Sequence, residues 1–335
     1  MAAQKILITR RLYPDILRSL SDSYETLVWP SPELPPHEWI RDNLTDADAL
    51  VCMLNDRIDD QLISFGASQG LKVISQMAVG VDNIAVAAAT THNIPVGHTP
   101  GVLTETTADF AWARLMAAAR RVVEGHTEVH ENIWRPWGPE VLCGVDIYGA
   151  TLGLIGFGRI GKAMARRAAG FNMLVKYYEP RKKPENDQIP NAQYVPLDEL
   201  LATSDFVSLH AYLSPATRGM IGQAQLELMK TSAILINTAR GAMVDHQALY
   251  DTLVNGRLAA AALDVFDPEP IPQNHPLLTL PNVIITPHIA SATTATRRRM
   301  AKMTVENIKA GLSDQVLPYC CNPEIYQKRK ILKSE

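Results

Sequence analysis

Three polar residues stand where apolar, strand-like runs end, and their types could do chemistry together. Arg240 lies in Ile236-Asn-Thr-Ala-Arg-Gly241. Its planar fork matches a carboxylate. Glu269, in Asp264-Val-Phe-Asp-Pro-Glu-Pro270, is held between prolines in a stiff, non-helical loop. His288, in Ile285-Thr-Pro-His-Ile-Ala290, sits at the mouth of a strand between apolar neighbours. Singly, each has a plainer reading: a surface salt bridge, a solvated loop acid, a satisfied structural histidine. As a set they suit one chemistry. Histidine relays a proton, an acid orients it and holds it charged, and arginine fixes a carboxylate. Reduction of a 2-oxo acid needs all three.

A cofactor site stands beside them. The apolar run Leu152–Ile155 leads into Gly156-x-Gly158-x-x-Gly161, and a helical pattern follows from Arg159 and Ile160 to Ala169. Strand, glycine turn and helix in that order are what a dinucleotide fingerprint requires. Gly156 allows the tight turn, Gly158 lets a pyrophosphate approach the backbone, and Gly161 lets the helix pack on the strand. The helix N-terminus offers N–H groups and a positive dipole end to phosphates. A plain strand-to-helix turn is the simpler alternative. Against it, a second strand, Met173–Tyr178, ends in Glu179. That is about the ~20-residue spacing at which an acid reaches the adenosine ribose. Glu179 favours NAD, because a carboxylate accepts from ribose hydroxyls and repels a 2′-phosphate. The cluster Arg181, Lys182 and Lys183 could hold such a phosphate, so NADP is admitted.

The elements that must position these residues alternate between strand and helix patterns. Strands are expected at Lys5–Thr9, Ala49–Met53, Leu71–Ser75 and Ile94–Gly97. Helices are expected at Pro14–Leu20 and Asp59–Phe65, and up to Ala89 with Asp82 or Asn83 as cap. Leu103–Glu124 reads as one long helix, buried on most sides and suited to connect two domains, with Thr104 as cap. Trp134-Arg-Pro-Trp137 is a loop. Beyond Glu179, strands at Asp205–Ala211, Ser232–Asn237, Ala259–Val265 and Val283–Pro287 alternate with helices at Ala224–Met229 and His246–Leu253, the latter capped by Asp245. A last helix, Thr294–Leu312, belongs with the first half, and the charged tail from Lys328 reads as loose. Repeated strand–helix units imply an α/β fold with parallel sheets flanked by helices.

Composition excludes several classes. The 335 residues carry a net charge of −3, which gives no pull toward nucleic acid or an acidic membrane surface. Cys52, Cys143, Cys320 and Cys321 have neither metal-ligand nor CxxC spacing, so no metal is expected, and they suit a reducing compartment. Met1-Ala-Ala-Gln-Lys leads straight into the first strand without a signal peptide, and no apolar run spans a bilayer. A cytoplasmic location is expected.

In order and spacing the motifs resemble those of the D-isomer-specific 2-hydroxyacid dehydrogenases, most closely the glyoxylate/hydroxypyruvate reductases. The likeness rests on Ala78-Val-Gly-Val-Asp-Asn83, Thr99-Pro-Gly-Val-Leu-Thr-Glu-Thr-Thr-Ala-Asp109 and Gly156-Phe-Gly-Arg-Ile-Gly161. It also rests on Asn237-Thr-Ala-Arg-Gly241, Leu263-Asp-Val-Phe-Asp-Pro-Glu-Pro270, Asn274-His-Pro-Leu-Leu278 and Thr286-Pro-His-Ile-Ala-Ser-Ala-Thr293. The resemblance implies His288 as acid/base, Glu269 as its partner and Arg240 as substrate anchor. It implies that the Val79 and Gly80 amides, with Leu54 nearby, receive the substrate carboxylate, and it places Thr107 and Asp264 near the nicotinamide. The cofactor-binding set is then Thr107, Gly156, Gly158, Arg159, Ile160, Gly161, Glu179, Arg181, Thr238 and Asp264. A Rossmann NAD(P)-binding domain, residues 101–291, is expected inside a flavodoxin-like substrate domain of residues 1–100 and 292–335, with the active site in the cleft and a homodimer as the assembly. Val141, Ala290 and Tyr212 depart from the family's usual residues. Alternatives are 2-oxo-gluconate or another D-2-hydroxy acid as substrate. A different class is a dinucleotide-sensing interaction protein, like the family's corepressors.

Overall fold

The computed structural model describes residues 3–181, 183, 184, 186, 189 and 191–327. The chain divides into two units, Met1–Leu103 with Thr293–Glu335, and Thr104–Ala292. In the first, β1 (Lys5–Ile8), β2 (Glu25–Val28), β3 (Ala49–Cys52), β4 (Val73–Gln76) and β5 (Val96–Gly97) form a sheet in the order β2-β1-β3-β4-β5. Every pairing is parallel. Parallel neighbours need crossovers, and helices supply them, so both faces are covered. The strand period of two shows it. Ile6 and Ile8 pack into one core with Ala301 and Ile308 of the helix Thr294–Leu312, while Leu7 packs into the other with Leu50 and Ile74.

The second unit holds β6 (Thr151–Ile155), β7 (Leu174–Tyr178), β8 (Ala192–Tyr194), β9 (Phe206–Leu209), β10 (Ile234–Asn237), β11 (Ala260–Leu263) and β12 (Val283–Ile285). Their order is β12-β11-β10-β9-β6-β7-β8, again all parallel. The chain reverses direction across the sheet between β6 and β9. That switch point is where open α/β sheets bind ligands, outside the carboxyl ends of the strands. Leu152 and Leu154 face a core with Ala111 and Leu115, and Ile155 faces the opposite one with Leu209 and Leu235. The expected α/β class, with two helix-flanked parallel sheets, holds.

Several elements differ from expectation. The long helix is two: Thr104–Ala119 and Val122–His130. The break coincides with a contact from a distant part of the chain. The Ala119 carbonyl accepts the Val145 N–H at 2.9 Å, and Arg121 turns left-handed at φ 50°. Thr104 is the first residue of its helix rather than a cap. That helix keeps one exposed stripe, Glu105, Asp109, Ala113 and Met116, and turns the charged Arg114 inward. The helix Val86–Thr91 starts after Ala85 with no side-chain cap. Asn83 is used elsewhere: its amide donates to the Met53 and Asp56 carbonyls. β2, β8 and the helices His37–Asn43 and Leu197–Thr203 were not expected. Asp245 and Thr293 cap their helices. Lys182 and the tail from Lys328 lie outside the described residues. Among the described residues no helix is long and apolar enough to cross a membrane.

Candidate active site

Three loops at the carboxyl ends of β10, β11 and β12 carry Arg240, Glu269 and His288. Asn237, buried at the end of β10, shapes the first loop. Its Oδ1 accepts the Ala239 N–H at 3.0 Å and its Nδ2 donates to the Arg240 carbonyl at 2.9 Å. Gly241 follows. A Cβ there would lie 2.0 Å from the Phe266 carbonyl carbon, so a glycine is what lets this loop pass the next. In that next loop the Glu269 carboxylate folds back: Oε1 accepts the Phe266 N–H at 2.9 Å, and Oε2 lies 2.8 Å from His288 Nδ1. Burial raises the Glu269 pKa. The hydrogen bond and charge of His288, the Phe266 amide and the charge of Arg240 outweigh it, and the carboxyl is held below its ordinary value. Arg240, Glu269 and His288 are therefore one electrostatic group. With Nδ1 facing the carboxylate, Nε2 is the ring nitrogen that could exchange a proton with a reactant. The side chains of His288 and Glu269 are 23% and 18% exposed, dry enough to strengthen the pair yet open to a small acid.

His288 itself is left-handed, at φ 52°, a region that side chains other than glycine's enter at a cost. Asp264 holds it there. Its carbonyl accepts the His288 N–H at 2.9 Å, and its fully buried carboxylate accepts the N–H groups of Ile289 at 3.0 Å and Ala290 at 2.8 Å. Both carboxylate oxygens are thus engaged by the histidine turn. The buried Ala290 belongs to this turn.

No cofactor is part of this structure, but the residues fit one. Gly156 has φ 93°, and a Cβ there would meet the Ala211 backbone nitrogen at 2.5 Å, so the turn excludes other residues. Gly161 packs against the Gly156 carbonyl, which a Cβ would meet at 2.3 Å. A Cβ on Gly158 would meet nothing within 4 Å, so its bare backbone leaves room for a phosphate at the start of the helix Arg159–Ala169, where no side chain caps the N–H groups. Arg159 is exposed there and Ile160 half-buried. Thr238, just past β10, has a buried hydroxyl with no partner among the described residues. Thr107 is buried on the helix Thr104–Ala119. His210, past β9, is pushed to about 3 by burial and stays neutral beside this turn. Glu179 immediately follows β7 and is 7% exposed, while Arg181 is exposed. The segment after Glu179 meets its carboxylate: Asn186 donates to Oε1, and Lys183 Nζ lies 3.7 Å from Oε2.

In the first unit, Leu54, Val79 and Gly80 are half-buried in the turns after β3 and β4. Gln76 Nε2 donates to the Gly80 carbonyl, and His98 Nδ1 lies 2.9 Å from the Val79 carbonyl. Among the described residues, no group of three His, Cys, Asp or Glu side chains is placed to hold a metal.

Sequence reasoning passed over Arg114, Asn237 and Asn186. Arg114 did carry a signal, as the one charge between Phe110 and Ala119.

A doubly wound sheet with a glycine turn at its switch point and a His–Glu pair beside an arginine defines a nicotinamide-dependent oxidoreductase. Comparison with known proteins narrows this. The family described as D-isomer specific 2-hydroxyacid dehydrogenase, NAD binding domain, matches residues 112–290. A glyoxylate reductase of Korarchaeum cryptofilum is 47% identical over 97% of this chain and 98% of its own. The crystal structure of a glyoxylate reductase from Paecilomyes thermophila superposes with a TM-score of 0.85 at 30% identity, covering 97% of this chain and 100% of that one. An NADPH-dependent glyoxylate/hydroxypyruvate reductase from Sinorhizobium meliloti, in complex with NADP and malonate, gives 0.84 at 28% identity over 96% and 98%. The chain belongs to the D-isomer specific 2-hydroxyacid dehydrogenases. It is an oxidoreductase that carries out NAD(P)H-dependent reduction of a 2-oxo acid to the 2-hydroxy acid.

Proposed function

We propose that the chain reduces a small 2-oxo acid of the glyoxylate or hydroxypyruvate type to the D-2-hydroxy acid, reversibly, with NADH favoured and NADPH accepted. The observation that carries this reading is the 2.8 Å contact of His288 Nδ1 with Glu269, with Arg240 beside it. Names borne by the relatives agree with it. The nicotinamide, when bound, supplies the hydride. Gly158, the start of its helix and Thr238 hold the dinucleotide, and Glu179 takes the ribose hydroxyls. Arg240 binds the substrate carboxylate and carbonyl and fixes the face offered for reduction. His288 Nε2 gives its proton to the oxygen growing negative at C2. Glu269, kept ionised, stabilises the imidazolium before that step and orients the ring throughout. The amides of Val79 and Gly80, with Leu54, are assigned to the substrate carboxylate. Both carbonyls of that turn are already taken, and a trans peptide points the Gly80 N–H opposite to the Val79 carbonyl. The second unit acts as cofactor domain and the first as substrate domain, in a cytoplasmic homodimer whose cysteines stay reduced.

The test is turnover of glyoxylate and hydroxypyruvate with each reduced cofactor, in the parent and in His288→Asn. The variant should bind NADH as the parent does and lose turnover by roughly 10²-fold or more. Near-parental turnover would remove His288 from the proton step.

A further inference from the structure

We propose that Arg114 is a positioning residue for this reaction, which from inside the helix Thr104–Ala119 locks the turn that carries His288. The inference rests on His288 being the acid/base. Three successive N–H groups of that turn, from His288 to Ala290, all end on Asp264. The left-handed histidine is therefore only as fixed as Asp264 is. Asp264 is fixed in turn by the Thr286 hydroxyl, which donates to Oδ1. Arg114 closes the network from behind. Its Nη1 donates to Thr286 Oγ1 at 2.6 Å, and its Nη2 donates to the Leu263 carbonyl at 2.8 Å and to the Ile284 carbonyl. Leu263 immediately precedes Asp264, and Ile284 lies two residues before Thr286. One guanidinium thus ties the end of β11 to the end of β12, and those two ends carry Asp264 and His288.

The residue type needs a reason, because arginine is expensive here. Arg114 is 3% exposed, and its Nε is buried without a partner among the described residues. Burial pulls its pKa down to about 10, against the charge of Asp264, which raises it. Its neighbours on the helix, Ala111, Leu115 and Ala118, are apolar and buried. A leucine would fill the same helix face without the desolvation cost, and apolar replacement of a buried charge is often neutral or stabilising. What leucine cannot do is hold two carbonyls and a hydroxyl in a planar fork. The hydrogen bonds of Arg114 go to Thr286, Leu263 and Ile284, not to Arg240, Glu269 or His288. Its effect reaches the chemistry through the placement of His288 against Glu269.

The experiment compares Arg114→Leu and Thr286→Val with the parent and with His288→Asn. It measures kcat and KM for glyoxylate, NADH affinity, and the downfield proton NMR signal of a His288 Nδ1–H held by Glu269, assigned by its loss in His288→Asn. Arg114→Leu is expected to fold, to bind NADH normally, to lose roughly 10- to 10²-fold in kcat, and to weaken or shift that signal, as displacement of a catalytic group by a distant change does. Thr286→Val cuts the same chain of contacts and should act in the same direction. The double variant should be no worse than the worse single one, since both break one link. Parental kcat and an unmoved signal in folded Arg114→Leu overturn the proposal. If that variant does not fold, the same result in Thr286→Val does so. If His288→Asn itself keeps turnover, it is the acid/base assignment that fails. The Nδ1–H signal then decides alone whether Arg114 positions the turn.

Discussion

At the scale of single residues, charge decides what each group can do. Glu269 is a carboxylate whose folded pKa lies below its ordinary value of 4.5, despite burial, because His288 and Arg240 favour the charged form. The folded state then binds fewer protons than the unfolded chain as acid is added. The stabilisation is fully present above the unfolded value and is lost as pH falls through the lower, folded one. Melting curves of the parent and Glu269→Gln should therefore lie furthest apart at neutral pH and converge below the ordinary carboxylate range. A gap that persists undiminished into strong acid would mean that the ionised form contributes nothing. Cofactor choice is also a residue-scale matter. Glu179 meets Asn186 and Lys183, so its removal both ends repulsion of a 2′-phosphate and releases a lysine to bind one. In Glu179→Ser the ratio of kcat/KM for NADPH over NADH should rise roughly tenfold or more, the worth of one charge-assisted hydrogen bond. An unchanged ratio would show that the acid does not read the ribose.

At the scale of elements, the glycine turn separates folding from binding. Gly156 is required by its left-handed backbone and by the Ala211 nitrogen beside it, whereas Gly158 stands in open space with an ordinary φ of −76°. Gly156→Ala should cost about 1–3 kcal/mol of stability, measured by denaturant unfolding. Gly158→Ala should unfold like the parent and bind NADH more weakly in a fluorescence titration. Equal stability of the two variants would contradict this division. The same turn shows why much of the site was legible. Gly156, Gly158 and Gly161 lie on one strand–turn–helix segment and Glu179 directly follows the next strand, and spacing of that kind is visible in a sequence. The strands β6, β9 and β10 were legible because each is an apolar run buried on both faces. β2 was not, since its residues are exposed or only half-buried and show no apolar run. The break at Arg121 depends on the Val145 N–H, 24 residues on, and nothing local announces such a partner. Arg114, although the one charge in an apolar run, was passed over because two of its three partners are the carbonyls of Leu263 and Ile284, and carbonyls leave no mark in the residue types.

At the scale of the whole molecule, one surface of the second unit is unfinished. The helix Val122–His130 has no buried residue, and it exposes Val122, Val123 and Val129. The segment after it continues with exposed Ile133, with Trp134 at 75% and with Trp137 at 90%. Large apolar side chains grouped along one helix and the loop that follows it mark an interaction surface rather than ordinary exposure. A net charge of −3 opposes self-association only weakly. The occupant we propose is a second copy of the chain, related by a two-fold axis, because such an interface buries the same patch on both partners at once. Sedimentation velocity should then give twice the mass of one chain at micromolar concentration. Replacing Ile133 and Trp134 by aspartate should yield the single-chain mass, since two buried like charges face their symmetry copies. The far-ultraviolet circular dichroism should stay parental, because neither residue belongs to a core. A parent that sediments as one chain, or an aspartate variant that remains double, would assign this surface to something other than self-association.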